Sequence, residues 1–290
     1  MDVTKAGAPS ASAGSVAPLV DCHAHIFCRD MPVTGDAWIT PGYAFEAGDL
    51  LAELDRHGVH FAVISGLSIA GLYNDYMISE LRRHGRLRGT AIVSPQVDRY
   101  ILEQMARDGI VGIRLQLARQ EKPVDLRSDD YRLLLRRVRD LGWHVHVAIE
   151  GPLLRPVLDA LTESGVDVVL DHFAHPDPSD PLQCDGFASA LQAVDKGHTW
   201  IKLSAGFRLP GPSAWRDDPD GDLESTAQLV AEALVSRVGC DRLLWGSDAP
   251  FVGYEARRTY ADVLASYRRW VPEAEKRAQI DRTALKLYFS

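Results

Sequence analysis

The chain has 290 residues, 46% of them hydrophobic and 25% charged, ordinary values for a globular protein. Its formal net charge of −8 argues against a general nucleic-acid binder, which would be basic, and no apolar run reaches the length of a membrane span. Four scattered cysteines (Cys22, Cys28, Cys184 and Cys240) with no Cys-x-x-Cys spacing fit a reduced, cytoplasmic protein better than a disulfide scaffold.

Met1 to Pro18 is rich in Ala, Ser, Gly and Pro, lacks the continuous apolar stretch of a signal peptide, and reads as a flexible tail. From Leu19 onward a short β-branched run alternates with an amphipathic segment. Strands are expected at Leu19–Phe27, Val59–Gly66, Leu87–Ser94, Ile110–Leu117, Trp143–Ile149, Val166–Phe173, His198–Ser204 and Asp241–Gly246. The intervening helices are expected at Ala47–His57, Asn74–Arg83, Tyr100–Asp108, Asp129–Leu141, Leu153–Ser164, Phe187–Lys196 and Leu223–Val238. Tyr260–Trp270 and a terminal Ala274–Tyr288 complete the set, and several helices end at a glycine such as Gly58, Gly109 or Gly142.

Eight strand-then-helix units in a row predict an α/β fold with a parallel sheet, and eight is the number that closes a TIM barrel. An open doubly wound sheet would offer a Gly-rich phosphate loop after its first strand, and none is present. Residues 19–290 are therefore expected to form one (β/α)8 domain.

In such a barrel the C-terminal strand ends share one face, where catalytic residues sit. Polar residues recur at those ends here. His23 and His25 close strand one, and Ser65 and Ser68 follow strand two. Arg114 and Gln116 lie on strand four, with Arg119 just beyond, and His144 and His146 share one parity of strand five. Strand six ends in Asp171-His172-Phe173-Ala174-His175. Lys202 and Ser204 close strand seven, with Arg208 following, and Asp248 ends strand eight. Charges are costly to bury without partners, so their clustering at one end of many strands points to a site. Strict alternation turns Cys22 away from His23, as packing, and leaves Lys202 open to a structural ion-pair role. The stretches Arg29–Phe45 and Pro210–Asp222 are long for strand-to-helix loops and are candidate lids.

Val20-Asp21-Cys22-His23-Ala24-His25, Gly112-Ile113-Arg114-Leu115, Leu170-Asp171-His172-Phe173, Ile201-Lys202-Leu203-Ser204 and Trp245-Gly246-Ser247-Asp248 together resemble the amidohydrolase superfamily. Within it they are most similar to the branch holding 2-pyrone-4,6-dicarboxylate lactonase and sugar lactonases. The resemblance implies a catalytic core of Asp248, His23, His25 and His172, with Arg114 and Arg208 as carboxylate clamps. Arginine's planar fork suits that task. Strand four carries Arg114 where binuclear members carry a metal-bridging lysine, so a binuclear centre is not expected. The branch's further arginine three residues after the sixth-strand histidine is His175 here, and its fifth-strand tyrosine gives way to His144 and His146. A lactone is thus implied without that particular dicarboxylate being implied.

The expected activity is hydrolysis of a cyclic ester bearing a carboxylate. Asp248 would act as general base, and His23, His25 and His172 would polarise the carbonyl. Ser65, His146 and His175 join Arg114 and Arg208 as expected substrate contacts. No cofactor is required on this reading, although His23, His25, His172 and Asp248 have the ligand types of a single zinc or manganese site. The alternatives are a metal-dependent decarboxylase of an aromatic or unsaturated carboxylic acid and a barrel that binds without turnover. The expected partner is a small anionic molecule, with no nucleic acid or membrane. Nothing in the sequence sets an oligomeric state.

Overall fold

The computed structural model describes residues 18–119, 123–177, 179–209 and 223–290. The expected tail before Pro18 and the candidate lid Pro210–Asp222 lie outside the described residues. The chain runs β1 (Val20–Ala24), α1 (Ala47–His57), β2 (Phe61–Ser65), α2 (Asp75–Arg83), β3 (Leu87–Ala91), α3 (Arg99–Arg107), β4 (Ile110–Gln116) and α4 (Asp129–Asp140). It continues through β5 (His144–Ala148), α5 (Leu154–Ser164), β6 (Asp167–Leu170), α6 (Asp185–Asp195), β7 (Thr199–Ser204), α7 (Leu223–Arg237), β8 (Leu243–Gly246), α8 (Tyr260–Trp270) and α9 (Ala274–Tyr288). The eight strands pair in sequence order, each parallel to the next. This is the expected TIM barrel.

The barrel closes where β1 meets the chain just past β8. Asp248 N donates to the His23 carbonyl at 2.7 Å and His25 N donates to the Ala249 carbonyl at 2.8 Å. A buried Asp21 staples the same seam. Its Oδ1 accepts from Ser247 N at 2.9 Å and its Oδ2 from the Tyr260 hydroxyl at 2.8 Å. Gly246 makes the approach possible, because a Cβ there would lie 2.6 Å from the Cβ of His23.

Between barrel and helices the outer core is aliphatic and aromatic, with Leu50, Leu54, Leu102, Leu134 and Phe187 fully or almost fully buried. Each such side chain contributes about 1.5–3 kcal/mol of burial. The lower lumen is a second apolar cluster of Val20, Cys22, Val63, Val169 and Leu244, plugged by Ala284 and Tyr288 of α9. Cys22 therefore faces inward. This departs from strict alternation because the β1–β2 register shifts between Asp21 and Ala24, which lets Cys22 and His23 both enter the lumen. All four cysteines are free thiols. Among the described residues no helix is long and apolar enough to cross a membrane.

The strands are mostly a residue or two shorter at each end than expected. The largest differences are at β1, which stops at Ala24, and at β6, which stops at Leu170. The four residues from His172 to His175 all have positive φ, between 45° and 64°.

Candidate active site

The seam brings His23, His25 and Asp248 together. Asp248 Oδ1 lies 3.6 Å from His23 Nε2, 3.5 Å from His25 Nε2 and 4.0 Å from His172 Nε2. Its other oxygen accepts from Arg208 Nε at 2.6 Å. Burial alone would push this carboxyl up. The Arg208 guanidinium outweighs burial and holds it well below the usual carboxylate range. Asp248 is an anion across the neutral range. His25 Nδ1 lies 2.8 Å from the Ser65 carbonyl oxygen, and a carbonyl only accepts, so Nδ1 carries a hydrogen and, in the neutral ring, Nε2 presents a lone pair. Asp248 Oδ1 and His25 Nε2 are thus two acceptors side by side.

Much of this rim is backbone held in the left-handed region. His172, Phe173, Ala174, His175, Ala205 and Asp248 all have φ between 45° and 65°, a conformation that costs a non-glycine residue roughly 1–3 kcal/mol and clusters at functional sites. Packing over-determines it here. Phe173 is fully buried and stacks edge-on to Trp270 at 5.1 Å, while His172 Nδ1 pairs with the Ser204 hydroxyl at 2.9 Å.

Below the rim lies a buried polar layer. Lys202 Nζ donates to His23 Nδ1 at 3.1 Å and to His146 Nδ1 at 2.9 Å, and sits 3.0 Å from Asp171 Oδ1. Asp171 Oδ2 accepts from Arg114 Nε at 3.1 Å, and Arg114 Nη1 donates to the Gly66 carbonyl at 2.8 Å. Beneath them His146 Nε2 meets His144 Nδ1 at 3.0 Å. Gly112 leaves room for that ring, since a Cβ there would stand 2.5 Å from His144 Nδ1. Burial and Lys202 lower both His23 and His144 to about 3, so these imidazoles are neutral at physiological pH.

The cavity over the rim is walled by His25, Trp38, Arg114, Gln116, Arg119, His172, His175, Arg208 and Asp248, with Leu67–Ile69, Ala118, Ala148 and Val252. Three guanidinium groups and one carboxylate make this wall net positive on an acidic chain. The loop Arg29–Phe45 supplies part of it. Trp38 lies 4.4 Å under the Arg119 guanidinium, and Thr34 N bonds to the Ile69 carbonyl at 2.8 Å. His175 joins the wall with its Nε2 buried and without a hydrogen-bond partner, and burial lowers it to about 4.

Three placements differ from expectation. His146 lies beneath the cavity, fully buried against Lys202, His144 and Tyr288, because its register partner is Arg114, whose long side chain reaches the rim while imidazole does not. Ser65 serves through its carbonyl, and the residue lines a separate small cavity beside Met31 and Tyr73. His25 gives an Nδ1 hydrogen to Ser65, so in the neutral ring it turns an acceptor toward the site where a donor is expected. Asp171 as a buried anion and Arg208 as a direct partner of Asp248 were not read from the sequence at all.

Among the described residues two groups of side chains, His23–His25–Asp248 and His23–Asp171–His172, have ligand atoms close enough for a divalent ion. The fit is poor for both. Asp171 is already held by Arg114 and Lys202, and His23, common to both groups, faces the hydrogens of Lys202.

The chain is similar to a 2-pyrone-4,6-dicarboxylate hydrolase from Comamonas testosteroni, 29% identical over 240 residues that cover 80% of this chain and 76% of the relative. A 4-sulfomuconolactone hydrolase from Rhizobium radiobacter is 25% identical over 237 residues, covering 80% and 76%. Among solved structures, a probable 2-pyrone-4,6-dicarboxylic acid hydrolase from Acinetobacter baumannii with citric acid bound superposes with a TM-score of 0.86. It is 26% identical, and the match covers 93% of this chain and 99% of that one. The amidohydrolase family model matches residues 20–289, nearly the whole barrel with its first histidines and last aspartate, and the chain belongs to that family.

Proposed function

We propose that this protein is a hydrolase that opens a cyclic ester carrying an anionic group. The observation that carries the reading is the acceptor pair of Asp248 Oδ1 and His25 Nε2, 3.5 Å apart, opening onto a cavity walled by Arg114, Arg119 and Arg208. The relatives are hydrolases of 2-pyrone-4,6-dicarboxylate and 4-sulfomuconolactone, both lactones with acidic substituents, and the positive wall suits such substrates.

A water molecule donating to both acceptors would point its oxygen lone pair into the cavity. Asp248 takes the proton as that oxygen bonds to the lactone carbonyl carbon. The carbonyl oxygen gains charge and is met by His172 Nε2–H, in the tautomer whose Nδ1 accepts from the Ser204 hydroxyl, and by the Arg114 guanidinium. The ring C–O bond then breaks, and Asp248 returns its proton to the leaving oxygen. Lactones are activated esters and need less electrophilic help than amides, so no step is assigned to a metal.

Purified protein should open carboxylated lactones and retain most of that activity after exhaustive chelation. Apo-protein that is inactive, and is restored by one equivalent of zinc or manganese, would overturn the mechanism and favour the metal-dependent decarboxylase.

Arg208→Met separates two roles of that arginine. The guanidinium stabilises the ionised form of Asp248, so its loss raises the carboxyl pKa and leaves less base at a given acidic pH. The acid limb of kcat/KM should therefore move to higher pH. If Arg208 also holds substrate, KM should rise further for a carboxylated lactone than for a neutral one. An unmoved acid limb would rule out its electrostatic hold on the base.

A further inference from the structure

We infer that Lys202 is a positioning residue that fixes the tautomer of His23, making it a hydrogen-bond donor toward Asp248 and denying its Nε2 to a metal ion. Lysine offers hydrogens and no lone pair for bonding in its ammonium form, and neutral imidazole carries one hydrogen on one of its two nitrogens. Lys202, fully buried, directs hydrogens to His23 Nδ1 at 3.1 Å and His146 Nδ1 at 2.9 Å. Both rings must then accept at Nδ1 and carry their hydrogen on Nε2.

The neighbours agree. His146 Nε2–H is left to donate to His144 Nδ1, 3.0 Å away. His23 Nε2 is buried, makes no hydrogen bond among the described residues, and is aimed at Asp248 Oδ1 from 3.6 Å. That separation closes with a small shift, and catalytic contacts often tighten only once substrate is bound. A donor here steadies Asp248 as its charge changes.

The opposite tautomer has one competitor for Nδ1. Asp171 Oδ1 stands 3.3 Å from it, and a hydrogen on Nδ1 directed there would leave a lone pair on Nε2, the form that ligates metal. Lys202 is the nearer partner of that nitrogen, at 3.1 Å against 3.3 Å for the carboxylate, and it holds the same carboxylate oxygen at 3.0 Å. One lysine on β7 thus decides whether the His-x-His of β1 serves hydrogen bonding or coordination. The tautomer is a claim about the resting protein. The use made of the Nε2 hydrogen rests on the lactonase reading.

The test is a long-range proton–nitrogen correlation spectrum of nitrogen-15 histidine-labelled protein, with His23 assigned by its disappearance in His23→Gln. The expected result is a protonated Nε2 and an unprotonated Nδ1. Lys202→Met should exchange the two, and zinc titration by calorimetry should go from no saturable binding to one equivalent. A wild-type ring protonated at Nδ1 would overturn the inference, as would a folded variant with an unchanged tautomer or no zinc binding. If the variant fails to fold, the wild-type spectrum still decides. No substrate is present, so an absence of lactonase activity beside the expected tautomer would sink the function alone. Lactone hydrolysis beside a Nδ1 hydrogen would sink only the role of Lys202.

Discussion

Asp248→Asn is expected to lower kcat by at least about 10²-fold, the lower scale for loss of a general acid–base group, with the fold intact. Asparagine keeps the size of the side chain and an oxygen to accept from Arg208 Nε, which now bonds the carboxylate at 2.6 Å. It also tolerates the left-handed backbone at this position, φ 65°, better than most residues. What it loses is the anion. No proton can then move from water to this side chain and on to the leaving oxygen, while His25, His23 and the arginine wall remain. Circular dichroism and thermal unfolding would verify the fold, and lactone turnover would give the rate. A well-folded variant with near wild-type kcat would remove Asp248 as the base and leave His25 Nε2, the neighbouring acceptor, as the candidate.

The residues in this prediction were legible in the sequence because they lie on the barrel's own logic. A His-x-His at the end of the first strand and an aspartate after the eighth must meet if eight units close a ring. Depth in the lumen was not legible. His144, His146, Arg114 and Lys202 all read as inward-facing, but which of them reach the rim depends on inter-strand register and side-chain length, and neither leaves a mark in one sequence. The shift in β1 that turns both Cys22 and His23 inward has no glycine to announce it. The four left-handed residues from His172 to His175 likewise contain no glycine or asparagine, so the strand pattern runs on through His172 and Phe173. Asp171 is visible at the end of strand six, but its role as a buried anion appears only when Lys202 and Arg114 arrive from β7 and β4.

Asp171→Asn is expected to destabilise the fold by about 3–5 kcal/mol, the scale for removing one partner of a buried ion pair. Asp171 is fully buried, with Lys202 Nζ 3.0 Å from one oxygen and Arg114 Nε 3.1 Å from the other. Burial pushes its carboxyl up, but Lys202 and Arg114 outweigh that and hold it well below 3.8. A group depressed in the folded state stabilises above its unfolded pKa, and that contribution is lost as pH falls through the folded value. The penalty of the mutation should therefore be complete at neutral pH and shrink in strong acid. His23 and His144, ordinarily near 6.5 and lowered to about 3 here, add a separate slope. Between those values the unfolded chain binds more protons, so stability of both proteins should rise with pH. Denaturant unfolding at neutral and acidic pH measures both effects. The double variant with Lys202→Met removes anion and cation together and should recover part of the loss, because partners in one network are not additive. A single variant as stable as wild type, or a double variant costing the sum of its parts, would mean that Asp171 is not the anion that offsets the buried cations.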